Sequence, residues 1–366
     1  MHYNLNTLLR TMIEQGASDL HLTVGAPPAF RVNGNIFRSK SPVLSAEETQ
    51  SLCYSLLTDD QKRRFEEKRE LDFAFGVKNV ARLRANLFIQ RGAVAGVFRR
   101  IPSKIPELRN LGFSENIHSL VDKPNGLILV TGATGSGKST SLAAMVEAIN
   151  VSKRCHIITI EDPIEFTHKH KMSLVNQREI GTDCDSFHTA IRQSLREDPD
   201  VILVGEMRDQ ETAEAALRAA ETGHLVLSTL HTNGAINTIN RLVQMFPLDR
   251  QDYIRTLLSF TLEAVLSQAL CEKKDRNGRI MVYEYLALTP AIRNLIREDK
   301  LHQVYSQMQI GQESTGMVTL NQQLARHVNA SNISRQEALA NSPDPEELER
   351  ILSGASSSSK NKRRVA

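Results

Sequence analysis

The chain has 366 residues, 40% of them hydrophobic and 24% charged, with a formal net charge of +3 at pH 7. That length holds two ordinary domains and a sizeable core, and the composition is that of a soluble globular protein. So small a net charge excludes the strongly basic surface of a bulk nucleic-acid binder and leaves room only for a local patch.

The N-terminal stretch MHYNLNTLLRTMIEQG carries the apolar spacing of an amphipathic helix and lacks the long apolar centre of a secretory signal. SDLHLTV and PAFRVNG follow as strands, with Pro-Pro and Asn-Gly as turn signals. Residues 45–69 read as helical and charged. ARLRANLFIQ and AVAGVFRR then form a predicted hairpin around Arg91-Gly92. In the first of these strands Ala81, Leu83, Ala85, Leu87 and Ile89 share one face, and Arg82, Arg84 and Asn86 share the other. Residues 1–100 are thus expected to form a small α+β domain. Residues 101–112, with two prolines, are expected to be a linker.

From residue 113 the pattern alternates between short apolar strands and amphipathic helices. LILVT, HIITI, VILVG and HLVLSTL are the strands, and KSTSLAAMVEAI, FHTAIRQSLRE and ETAEAALRAAET the helices. This is the signature of an α/β fold with a largely parallel sheet covered on both faces. Residues 255–352 read as mainly helical, with one β-type interruption at RIMVYEYLAL. The Ser-rich, basic segment 353–366 is expected to be a disordered tail. Cys53, Cys155, Cys184 and Cys271 are widely spaced with no CxxC pair, which argues for reduced thiols and against structural zinc or a disulfide framework. No apolar run approaches the ~20 residues that span a bilayer.

The chemistry begins at GATGSGKST, residues 132–140, which lies between a strand and a helix. Gly132, Gly137, Lys138 and Ser139 fit G-x-x-x-x-G-K-[ST], and Ala133, Thr134, Gly135, Ser136 and Thr140 complete the loop. Glycines let backbone N–H groups wrap phosphates, and the following helix N-terminus adds positive potential. Lys138 is then expected to reach the β- and γ-phosphates of ATP, and the Ser139 hydroxyl to bind Mg²⁺.

Ligands of parallel α/β sheets collect at the C-terminal ends of strands. Two such ends are acidic. In VILVGEMRD, Glu206 is placed to reach the Mg²⁺ shell or its waters, although the usual form of this motif has an acid where Gly205 stands. In IITIEDPIEF, Glu161 comes first after the apolar run and is the candidate for activating the attacking water. Asp162 and Glu165 read as turn acids. His224 and His231 bracket the strand HLVLSTL. For His231, with Thr229 beside it, two readings stand: a γ-phosphate sensor or a satisfied structural histidine. Arg82 and Arg84 similarly read either as one face of a half-solvated sheet or as arginine fingers, with Arg91, Arg99 and Arg100 as further candidates.

Taken together, ASDLHL, GATGSGKST, IITIEDPIEF, LVGEMRD and GHLVLSTLHTN resemble the conserved blocks of the secretion-type ATPases that power type IV pili and type II secretion. The resemblance covers nearly the whole chain outside the tail. It implies a RecA-like P-loop NTPase domain preceded by a PAS-like domain, a homohexameric ring, and nucleotide held between the two domains. It places the catalytic glutamate on Glu161, the Mg²⁺-associated glutamate on Glu206, and the histidine pair on His224 and His231. It also strengthens the finger reading of Arg82 and Arg84.

Within the family the likeness is to the pilus-retraction branch, because the paired-CxxC module of extension and secretion members is missing here. The block Ala291, Ile292, Arg293, Asn294, Leu295, Ile296, Arg297 and Glu298 resembles one associated with retraction. Thr289 and Pro290 predict a capped helix start, Ile292, Leu295 and Ile296 an apolar face, and Arg293 and Arg297 an exposed pair one turn apart. The implied protein is a cytoplasmic motor driving twitching motility. It would be peripheral to the inner membrane through a pilus platform protein, without inserting in the membrane and without nucleic acid. The rivals are an extension or secretion ATPase, a DNA-translocating ring and a slow nucleotide-binding regulator. The absence of Trp counts against the second, since strand-binding rings stack bases on aromatics.

Overall fold

The computed structural model describes residues 3–32, 34–77, 81–101, 104–310 and 312–354. The expected tail from residue 355 onward, and Pro102 and Ser103 of the expected linker, lie outside the described residues. The chain divides into two compact units, Met1–Lys104 with Pro163–Thr167, and Ile105–Asp162 with His168–Ala366.

The first unit is built on six strands: β1 (Asp19–Leu22), β2 (Ala29–Val32), β3 (Asn35–Arg38), β4 (Glu70–Val77), β5 (Ala81–Gln90) and β6 (Ala93–Arg100). They form one sheet in the order β3-β2-β1-β6-β5-β4, with every pairing antiparallel. The charged segment 45–69 forms two helices, Ala46–Tyr54 and Asp59–Lys68, because Ser45 and Thr58 each start one with a capping box. Leu9 of the N-terminal helix Leu5–Glu14, with Leu52 and Phe65 of these two, packs with Leu20, Leu83, Leu87 and Phe98 of the sheet. The turn between β5 and β6 is the tight type expected, with Arg91 at φ 48° and Gly92 at φ 78°. Ile89 departs from the predicted apolar face of β5 and is 36% exposed near the strand end.

In the second unit the strands are β7 (Gly126–Thr131), β8 (His156–Glu161), β9 (Leu174–Glu179), β10 (Val201–Val204), β11 (Leu225–Leu230), β12 (Leu262–Glu272) and β13 (Arg279–Ala287). The sheet order is β13-β12-β7-β11-β10-β8-β9. All neighbours are parallel except β12 and β13. Side chains alternate across the sheet as a period of two requires. Leu127, Leu129, Ile158, Ile160 and Ile202 join one buried cluster, and Ile128, Val130, Ile157, Leu203 and Leu227 join another on the other face. Both faces are covered, as the strand–helix alternation predicts.

Residues 262–272 correct the expectation of a mainly helical C-terminal part. LEAVLSQALCE is rich in helix formers, yet it forms β12, pairing parallel with β7 and antiparallel with β13. Two ladders and near-complete burial override a propensity worth a few tenths of a kcal/mol per residue. The helices Leu320–Asn329, Arg335–Asn341 and Pro345–Leu352 then place Leu324, Ala338 and Leu348 in a small core with Cys271 and Val282 of this hairpin. Within 101–112, a 3₁₀ turn at Leu108–Leu111 sends Leu108 into the second unit's core.

Candidate nucleotide site

The loop 132–137 leaves β7 and turns into the helix Lys138–Ser152, whose N-cap is Gly137. Gly132, Gly135 and Gly137 have φ values of 133°, 80° and 94°. Gly132 is irreplaceable for a second reason: a Cβ there would lie 2.2 Å from the Gln268 carbonyl oxygen and 2.8 Å from Ser136 Oγ. Residues 133–135 are exposed, and Ser139 and Thr140 sit half-buried in the first helical turn. Lys138 is buried and donates to the Gly132 and Ala133 carbonyls at 2.8 and 3.0 Å. Ser136 Oγ is buried without a partner. Positive-φ glycines, an orphaned hydroxyl, a buried ammonium and a helix N-terminus form a cradle suited to phosphate.

Three strand ends meet beside it. Glu161 ends β8, where Thr159 Oγ1 and Gln177 Nε2 both donate to its Oε1, at 2.6 and 3.3 Å. These bonds orient the carboxylate from a buried strand residue and from the neighbouring β9. Gly205 follows β10 and donates its N–H to the Ile160 carbonyl at 2.8 Å. A Cβ at Gly205 would lie 3.3 Å from both Glu161 Cα and the Ile160 carbonyl oxygen, a tight approach to the backbone of β8. Glu206, with a side chain 13% exposed, forms an ion pair with Arg208 Nε at 2.8 Å and lies 3.3 Å from His231 Nε2. Thr229 Oγ1 donates to the Gly205 carbonyl at 2.6 Å, which ties β11 to this corner. Asp162 and Glu165 are exposed in the bend that contains Pro163.

Glu206, His231 and Thr229 therefore come together at one corner. His224 does not join them. Its Nδ1 bonds the Ala219 carbonyl at 2.9 Å and Thr222 Oγ1 at 3.2 Å, closing the end of the helix Gln210–Glu221. The six-residue strand β11 separates it from His231, about 20 Å at the usual rise. Among the described residues no group of three His, Cys, Asp or Glu could hold a metal ion. The donors present, Ser139 and Glu206, suit Mg²⁺ only as partners of phosphate oxygens, which is how that ion is commonly bound beside nucleotides.

The hairpin β12–β13 supplies side chains to the site that no motif signals. Gln268 donates to Ser141 Oγ on the phosphate-loop helix at 2.8 Å. Ser267 Oγ accepts from Gly234 N at 2.9 Å, and Glu284 Oε1 accepts from Ala235 N at 2.7 Å, so both hold the loop that follows His231. Thr238, in the helix Ala235–Gln244 that follows this loop, bonds Thr232 of the loop and Thr131 at the end of β7.

Arg82 and Arg84 belong to the first unit, half-buried on the polar face of β5, with Arg84 Nε 3.4 Å from Asp72 Oδ1. Arg99, a further finger candidate, donates to buried Asp19 at 2.7 Å, which gives ASDLHL a structural role. The helix Pro290–Arg297 starts as predicted, with Thr289 capping Ile292 N, and it buries Ile292 and Ile296. Its arginines differ from expectation. Arg297 is exposed beside Asn294, but Arg293 is partly buried. Arg293 donates to the Ser259 and Phe260 carbonyls at 2.9 and 3.2 Å and to Glu263 Oε1 at 2.5 Å. Glu263 also binds Lys123 at 2.7 Å.

A phosphate cradle at the end of a central parallel strand, facing an oriented carboxylate on the next strand but two, defines a P-loop ATPase. The chain belongs to the type II/IV secretion system protein family, whose profile matches residues 2–339. It is 50% identical to the type IV pilus retractation ATPase PilT of Pseudomonas aeruginosa, over 94% of this chain and 99% of that protein. It is 45% identical to the twitching motility protein of Neisseria gonorrhoeae, over 94% of this chain and 92% of that protein. Among solved structures it resembles the pilus retraction motor PilT with bound ADP at 53% identity, with a TM-score of 0.89 and coverage of 94% of this chain and 98% of the other.

Proposed function

We propose that this chain is the ATP-hydrolysing motor of type IV pilus retraction, acting as a homohexamer on an inner-membrane platform protein from the cytoplasmic side. The observation that carries this reading is the end-to-end likeness to PilT at half identity. No helix among the described residues is long and apolar enough to cross a membrane, which is in keeping with attachment through a partner.

In this reading Lys138 exchanges its two loop carbonyls for β- and γ-phosphate oxygens as ATP enters. Mg²⁺ would be held by Ser139 and, directly or through water, by Glu206, and would neutralise charge on the same oxygens. Glu161, held by Thr159 and Gln177, orients the attacking water and takes its proton. His231, with Thr229 behind it, reports on the γ-phosphate through its contact with Glu206. Arg82 and Arg84 are the candidates for contact with the transferring group, worth ~10³–10⁵-fold where such a finger operates. Turnover is coupled to movement of the two units about residues 101–112, and the stroke disassembles the pilus.

Two measurements test this. Glu161→Gln should bind ATP normally and lower turnover ~10²–10⁴-fold; turnover near the wild-type rate would remove Glu161 from the chemistry. A cell lacking the protein should be hyperpiliated and unable to twitch. A bald cell would instead make the chain an extension ATPase.

A further inference from the structure

The sheet of the first unit ends at β3, and among the described residues no strand lies beyond it. All four residues of β3 are exposed, with Ile36 at 52% and Phe37 at 57%. The strand at the opposite edge, β4, instead buries Leu71 and Phe73. Natural sheets seldom leave an apolar edge open, because its unpaired N–H and C=O groups are a template for another strand.

The phase of hydrogen bonding along β3 fixes which groups can pair outward. Ser39 donates its N–H to the Pro28 carbonyl at 2.8 Å, just past the pair Ala29–Arg38. Antiparallel ladders alternate, so Phe37 and Asn35 also turn their backbone groups toward β2, and Ile36 and Arg38 turn theirs away from the sheet. Side chains divide with a period of two. Phe37 stands opposite buried Phe30 at the rim of the core, so an added strand would extend that core. Ile36, opposite Arg31, shares the other face with Arg38. Past the strand, Leu44 donates its N–H to the Ala26 carbonyl at 3.0 Å, and Val43 is left 61% exposed.

Charge selects the kind of strand that fits. Between Asp19 and Glu47 the sequence has no Asp or Glu. Arg31 lies 3.6 Å from Asp19, but Arg38 and Lys40 are exposed and have no acidic partner among the described residues. Two copies joined edge to edge would bring these cations into one joint with no acid to offset them, which disfavours a second copy.

We propose that β3 is a docking edge for an extended acidic segment of a partner protein, which adds to the sheet as a seventh strand. The backbone groups of Ile36 and Arg38 supply the main-chain bonds, and Phe37 supplies the apolar contact. Arg38 and Lys40 select an acidic sequence over a neutral or basic one.

The test is fluorescence anisotropy of the full chain with a labelled nonapeptide of alternating Glu and Val, and with its Lys-Val counterpart. The Glu-Val peptide should bind saturably with a Kd of about 10–100 µM, as suits a contact of one short strand. The Lys-Val peptide should bind about tenfold more weakly or not at all. Ile36→Pro removes an outward N–H and breaks no ladder bond. It should weaken Glu-Val binding about tenfold or more and leave Tm within about 2 °C of wild type. Arg38→Glu should abolish the preference for Glu-Val over Lys-Val, and it decides the matter if the proline variant misfolds. No saturable binding, equal binding of the two peptides, or undiminished binding by folded Ile36→Pro would overturn the proposal. A loss of assembled mass when Ile36→Pro is sedimented would overturn it as well, by making the edge a joint between copies.

Discussion

Replacing Arg293 with Ala separates an anchoring role from a surface-contact role for the retraction-type block. The guanidinium joins three things: the C-terminal carbonyls of the helix Leu248–Thr261, the carboxylate of Glu263 at the start of β12, and its own helix. Arg293 is 26% exposed and Glu263 16%, so water screens the pair only partly. Breaking a fully buried pair costs about 3–5 kcal/mol. Here Lys123 still compensates Glu263, which brings the loss of that contact down to about 1–2 kcal/mol. Losing a cation from the helix C-terminus adds about 0.3–1 kcal/mol. The total, about 2 kcal/mol, corresponds to a fall in Tm of about 4–8 °C for a unit of this size. Thermal melting of the purified chain measures it, with Arg293→Lys as the control that keeps the charge and loses the fork. That variant should recover part of the loss. If Arg293→Ala melts within about 1 °C of wild type while twitching is abolished, the anchoring argument is wrong, and Arg293 acts through a partner.

Other outcomes follow from the same geometry. Gly132→Ala drives a Cβ into the Gln268 carbonyl and should weaken ADP binding about tenfold or more, measured with a fluorescent analogue; unchanged affinity would mean the loop can relax. Burial raises the pKa of Glu284, so the folded chain retains a proton that the unfolded chain has released. Stability from this group is full below the ordinary carboxylate range and falls as pH rises through the folded value. Glu284→Gln keeps the acceptor for Ala235 N, and its Tm relative to wild type should therefore improve from pH 5 to pH 8; a constant difference contradicts the burial argument. His231→Ala should lower turnover with ATP binding retained. His224→Ala should cost only stability, about 1 kcal/mol for a lost helix-end contact, and equal catalytic losses in both would refute the separation seen here.

Much of this was legible in the sequence. The strands β7, β8, β10 and β11 are short apolar runs between amphipathic helices, and their existence and the phosphate loop follow from pattern and chemistry alone. The hairpin around Arg91-Gly92 was readable because that turn demands positive φ. What could not be read was β12. Leu, Ala, Glu and Gln favour a helix locally, and only the ladders to β7 and β13 make that segment a strand. Once it was read as helix, Ser267, Gln268 and Glu284 had no visible link to the site. His224 illustrates the reverse limit. Its likeness to His231 in the sequence block is real, but a strand carries its two ends to opposite edges of a sheet, and the spacing within the block does not show which edge holds the nucleotide.

The hairpin β12–β13 also has a mechanical meaning. Gln268 backs the phosphate loop, while Ser267 and Glu284 hold the histidine loop, and neighbouring residues of one rigid ladder do both jobs. Ser267 and Glu284 stand directly opposite each other in its register. The two loops are thus bolted to a common beam, and a disturbance of one is felt by the other. Substitutions at Gly132 and Glu284 should therefore combine non-additively, with a coupling of about 0.5–3 kcal/mol in a double-mutant cycle. Evolution in this family would then have to tune the phosphate grip and the histidine loop together rather than one at a time.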